Sequence, residues 1–83
     1  MERKVFLELC QKCSILPSGV FNIKKNVPDE YKVELNGTAY YPISYNISFD
    51  NQGKPQHIAI LHDLKANSIV ECDLNKLKTL KEN

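Results

Sequence analysis

One run constrains this chain more than anything else in it. From Ala39 to Phe49 an apolar or aromatic side chain falls at every second position: Ala39, Tyr41, Ile43, Tyr45, Ile47 and Phe49. Tyr40, Pro42, Ser44, Asn46 and Ser48 stand between them. A period of two reads as a β-strand with one face buried. Such a strand needs partners along its edges and a cover over its apolar face. The chain has 83 residues, room for one small domain that buries roughly 60% of its unfolded surface, so partners and cover must come from nearby sequence.

The partners are legible on both sides. Tyr31, Val33 and Leu35 alternate with Lys32 and Glu34, and Asn36-Gly37 then gives the strongest short hairpin signal. A two-residue turn would pair Val33 with Tyr40 and put the two apolar sets on opposite faces. A three-residue turn pairs Leu35 with Ala39, Val33 with Tyr41 and Tyr31 with Ile43. A one-residue slip flips a whole face, so the pattern predicts the three-residue turn or a bulge beside it. Pro42 cannot donate to a ladder and marks an edge, a bulge or a bend. Residues 50–55 (DNQGKP) read as a turn, and His57–His62 (HIAILH), apolar on both faces, as a central strand. Ile69 to Cys72 forms a last short strand, after which Asp73 caps a helical turn carrying Leu74, Leu77 and Leu80.

The cover comes from the beginning of the chain. Val5, Phe6, Leu9, Cys10 and Cys13 recur at helical spacing, and Pro17-Ser18-Gly19 stops the pattern. The reading is α+β in a single domain, 1–83. It comprises a helix over 1–16, a docked connector over 17–30, and a small, strongly bent antiparallel sheet of four or five strands with a helical turn over 31–83. Bent sheets of this order curl into partly open, SH3-like barrels. The expected core is Val5, Phe6, Leu9, Cys10, Val33, Leu35, Tyr41, Ile43, Tyr45, Ile47, Phe49, Ile58, Ile60, Val70, Leu74 and Leu77.

Chemistry-bearing groups are few. Cys10-x-x-Cys13 offers half a zinc site, to be completed by Cys72 and a histidine, or a redox pair. Both thiols fall on the apolar helix face with no glycine near, so they read as core, and no metal or cofactor is expected. His57 and His62 stand five apart, on opposite faces of a regular strand, and cannot share an ion. His62-Asp63 has the elements of an acid–base pair but no nucleophile beside it. With three glycines there is no phosphate loop, and the reading is not an enzyme.

Net charge is +1, unevenly spread: residues 1–25 hold five Lys or Arg against two acids, and residues 26–63 two against five. Lys24-Lys25 and Lys76, Lys78 and Lys81 make the ends basic, while the sheet region is mildly acidic, the wrong sign for an oligonucleotide. No apolar run approaches the ~18 residues of a membrane span. Three cysteines, an odd number, and an amino terminus without an apolar signal stretch read as a reduced, cytoplasmic chain.

The stretches YYPISYNISFD, GKPQHIAILHDLKANSIV and ECDLNKL resemble small proteins of prophages and mobile elements in Gram-positive bacteria. Proteins of that kind are often binders that interfere with host enzymes or defence systems, or accessory factors of phage replication. The resemblance carries no catalytic motif. It implies a non-enzymatic protein-interaction module, an inhibitor of a host or defence protein; the alternative is a nucleic-acid-binding barrel acting as an accessory replication or regulatory factor. For a protein partner the expected patch is Tyr40, Pro42, Ser44, Asn46 and Ser48 with Asn51 and Lys54 of the adjoining turn. Tyr40 is its aromatic anchor, unless that ring packs under the helix.

Overall fold

Asn36 and Gly37 both have positive φ, 53° and 85°, the backbone of a tight two-residue hairpin turn. In the computed structural model, which describes residues 1–14, 28–63 and 65–80, that turn joins β1 (Val33–Leu35) to β2 (Thr38–Phe49). Val33 pairs with Tyr40, Glu34 with Ala39 and Leu35 with Thr38. The three-residue register is therefore wrong. What reconciles the short turn with a common apolar face is a bulge further on. Pro42 pairs with Leu61 and Ser44 with Ile60, which leaves Ile43 as an extra residue. Before the bulge the even positions Tyr40 and Pro42 face the core; beyond it the odd position Tyr45 does.

β3 (Pro55–Asp63) runs back along β2, and β4 (Ser68–Asp73) along β3. Asp73 accepts a hydrogen bond from the Asn75 N–H at 2.8 Å, capping a 3-10 turn over Leu74–Lys76 as the sequence implied. β5 (Lys78–Thr79) then pairs with β1. The order is β4-β3-β2-β1-β5, antiparallel throughout. With β4 and β5 at opposite ends the sheet stays open, so the α+β architecture holds and no barrel closes.

The helix α1 (Arg3–Ser14) covers one face. Phe6, Leu9 and Cys10 cluster with Val33, Ala59, Leu61, Leu74 and Leu77, and Leu35, Tyr40, Tyr45, Val70 and Cys72 pack around them. Cys13 and Tyr41 form a second small cluster with Tyr31, which lies in a 3-10 turn (Asp29–Tyr31) instead of a strand. The Met1 ammonium donates to the carbonyls of Leu74 and Leu77, at 3.3 and 3.1 Å, and so ties the start of the helix to the capped turn. Val5, Ile43, Ile47 and Phe49, expected inside, are exposed, Phe49 by 69%. Ile47 and Phe49 pair with His57 and Pro55 near the hairpin tip, past the buried cluster. Ile58 and Ile60 are only half-buried. Among the described residues no helix is long and apolar enough to cross a membrane. The docked connector expected over 17–30 lies outside the described residues except at 28–30.

Candidate functional site

The bulge at Ile43 divides the expected partner patch. Pro42 is fully buried beside Leu61, and Tyr40 is half-buried against the main cluster. A proline suits this place because a bulged ladder does not require its missing N–H. Neither residue is a free anchor. Ser44, Asn46 and Ser48 lie beyond the bulge on the other face; Asn46 and Ser48 are exposed and Ser44 half-buried. Asn51 and Lys54 are exposed in the tip between β2 and β3. There the Asp50 carboxylate accepts from the N–H groups of Gln52 and Lys54, at 2.8 and 2.9 Å, and holds the turn in shape.

The face that carries Asn46 and Ser48 is continuous across three strands. Asn46 pairs with Ile58, which pairs with Asp73; Ser44 pairs with Ile60, which pairs with Glu71. Ile58 and Ile60 alternate with the buried Ala59 and Leu61 and so point away from the helix. Ile69 follows on β4, exposed by 59%. The result is a shallow surface: half-buried isoleucines in the middle, short polar side chains along one border, and Ile69, Glu71 and Asp73 along the other. Sequence reading missed the isoleucines of this surface. HIAILH identified a central strand correctly, but a strand flanked on both edges does not imply cover on both faces. At its far end the face becomes interior, where Tyr41 and His62 pair and are both buried. His62 Nε2 shares a 2.9 Å hydrogen bond with Asn67 Oδ1, whereas its buried Nδ1 has no partner among the described residues.

The helix side holds the second feature. Tyr45 and His57 stack with ring centroids 5.8 Å apart and share a hydrogen bond between the Tyr45 hydroxyl and His57 Nδ1. A cleft of about 580 Å³ opens there, lined by Met1, Glu2, Arg3, His57, Leu74 and Asn75. Tyr45 and His57 stand twelve residues apart on different strands, and that spacing gave no hint of the pair.

The thiols sit in surroundings that suppress reactivity. Burial, followed by the neighbouring Cys13 thiol, pushes Cys10 up to about 12, and burial pushes Cys13 up to about 11. Burial and then Asp73 raise Cys72. All three are free thiols. Among the described residues no three His, Cys, Asp or Glu side chains converge on a point where an ion could sit. Comparison with protein-family models, curated proteins and solved structures finds no match to this chain.

Proposed function

We propose that this chain is a non-enzymatic protein-interaction domain that binds its partner through the open face of the sheet. The observation that carries the reading is the one-sided cover among the described residues: α1 packs over Ala59 and Leu61, while Ile58, Ile60 and Ile69 face away from it beside Asn46 and Ser48. An apolar centre with a rim of small polar and charged groups is the anatomy of a protein interface. The chemistry elsewhere supports the same reading. The helix thiols are held protonated, and the two histidine rings are engaged with Tyr45 and Asn67.

The second reading is nucleic-acid binding by the basic ends. From Thr38 to Asp63 the only basic side chain other than histidine is Lys54, and β4 adds Glu71 and Asp73. A phosphate backbone laid on that surface would meet negative charge. The resemblance to prophage and mobile-element proteins makes a host or defence protein the proposed target, with inhibition as the proposed outcome.

The test is a side-by-side capture from host lysate with the immobilised domain and with Asn46→Arg/Ser48→Arg, two exposed positions that tolerate the change. The domain is expected to retain a protein that the double variant loses. Binding of short oligonucleotides that weakens steeply with salt, with no protein retained, would favour the second reading.

A further inference from the structure

The two ends of the sheet differ. At one end β5 is only Lys78–Thr79, a short edge of the sort that discourages further pairing. At the other, β4 pairs with β3 along its whole length, from Asp63–Ser68 to Ile58–Asp73, without a bulge. Its outer side takes no backbone partner among the described residues. It contains no proline, and its six residues match an ordinary strand in length. Edges of this kind accept an added strand, whose main chain supplies affinity while alternate side chains supply choice.

The side chains of β4 specify what an added strand would meet. On the helix side stand Val70 and Cys72, half-buried and apolar beside the main cluster. On the open side stand Ile69 and Glu71, both exposed. Neither β3 nor β4 contains a lysine or arginine, while Asp63, Glu71 and Asp73 lie along the pair; Lys65 and Lys76 fall outside both strands. A lysine on the open side suits this arrangement, because its aliphatic stem covers Ile69 while its ammonium meets Glu71. A second copy suits it poorly. In a two-fold β4–β4 contact centred on Glu71 the two carboxylates meet, and like charges across a strand pair are destabilising; centred on Val70, each Glu71 faces Ile69 and finds no opposite charge.

We propose that β4 accepts an extended segment of a protein partner in which apolar residues alternate with lysine or arginine. The apolar set faces Val70 and Cys72, and the basic set faces Ile69 and Glu71. The proposal rests on the protein-binding reading and adds to it the edge and the chemistry of the segment that docks there.

The test uses two synthetic peptides, one alternating valine with lysine and one alternating valine with glutamate, titrated into isotope-labelled domain and followed by amide shifts. The lysine peptide is expected to bind and to move the amides of Ser68–Asp73 most. N-methylating one alternate set of its amides should abolish binding, while methylating the other set leaves it intact, the signature of one-sided main-chain pairing. Glu71→Lys, at an exposed position, should weaken the lysine peptide about tenfold, since it turns a cross-strand attraction into a repulsion. Several results would overturn the proposal: no preference for the lysine peptide, equal binding of both methylated forms, or shifts centred on Ser44, Asn46 and Ser48. A dimer of the free domain with protected β4 amides would overturn it too. None of these touches the protein-binding reading, which the Asn46→Arg/Ser48→Arg capture decides separately.

Discussion

The Tyr41 hydroxyl donates to the Cys13 carbonyl oxygen at 2.9 Å, joining strand β2 to the last turn of α1. The final carbonyls of a helix lack partners within it, so a side-chain donor here supplies what the helix cannot. Both residues are buried, and Tyr31 packs against them. The contact ties the C-terminal end of the helix to the sheet, as the Met1 ammonium ties its beginning to the turn over Leu74–Lys76.

Tyr41→Phe keeps the ring and removes this donor from the buried Cys13 carbonyl. We expect a loss of about 1–2 kcal/mol in urea unfolding, with an unchanged denaturant slope. No loss would mean that water replaces the hydroxyl.

The division between buried and exposed apolar residues gives a sharper contrast. Phe6 has no solvent exposure, and Phe6→Ala should cost about 3–5 kcal/mol, enough to unfold much of a domain this small. Phe49 is largely exposed, and Phe49→Ala should change stability by no more than about 0.5 kcal/mol. Chemical denaturation of the two variants measures both. Equal losses would restore the sequence-based core, in which both residues belonged.

Gly37 has φ of 85° in open space, so an added methyl meets no neighbour and only the backbone resists it. Gly37→Ala should therefore cost about 1–2 kcal/mol through its left-handed conformation. A three-residue turn that relieved this φ would make the substitution nearly neutral.

The helix thiols make stability depend on alkaline pH. In the folded chain Cys10 is raised from 9.0 to about 12 and Cys13 to about 11, and burial raises Tyr41 as well. Above pH 9.0 the unfolded thiols lose protons that the folded ones keep. Their contribution is thus complete below pH 9.0 and fades as pH climbs toward 11 and 12. Thermal midpoints should fall over that window, and Cys10→Ala/Cys13→Ala should flatten the fall relative to its own neutral value. A decline equally steep in the double variant would assign it to other groups.

Much of this fold can be read from the residues, and the exceptions share one cause. The helix face of Phe6, Leu9, Cys10 and Cys13, the hairpin at Asn36-Gly37, the central HIAILH strand and the Asp73 cap are all local patterns, and each forms. The face assignment of β2 is not local. Alternation from Ala39 to Phe49 is unbroken, yet the side chains that face α1 change parity at Ile43. A bulge adds a residue without disturbing the pattern of residue types, so counting by twos cannot detect it. Two signs were available: Pro42, and the opposite faces that a two-residue turn at Asn36-Gly37 gives the two apolar sets. That Ile47 and Ile69 are exposed and Ile58 and Ile60 only half-buried was hidden for another reason: the sequence shows which residues are apolar, whereas the reach of a single short helix decides which of them it covers. Of the expected partner patch, Tyr40 and Pro42 turn inward, while Asn46 and Ser48 stay exposed beside the isoleucines.

The measurement that bears most directly on the open face as a protein-binding surface is an isoleucine methyl spectrum. It is recorded for the domain alone, with the protein it retains from host lysate, and with short duplex DNA. The retained protein is expected to move the methyls of Ile58, Ile60 and Ile69 and to leave the amides of Phe6 and Leu9 in α1 in place, and DNA is expected to move none of them. Shifts confined to the outer surface of α1, or shifts produced by DNA and not by protein, would contradict the protein-binding reading.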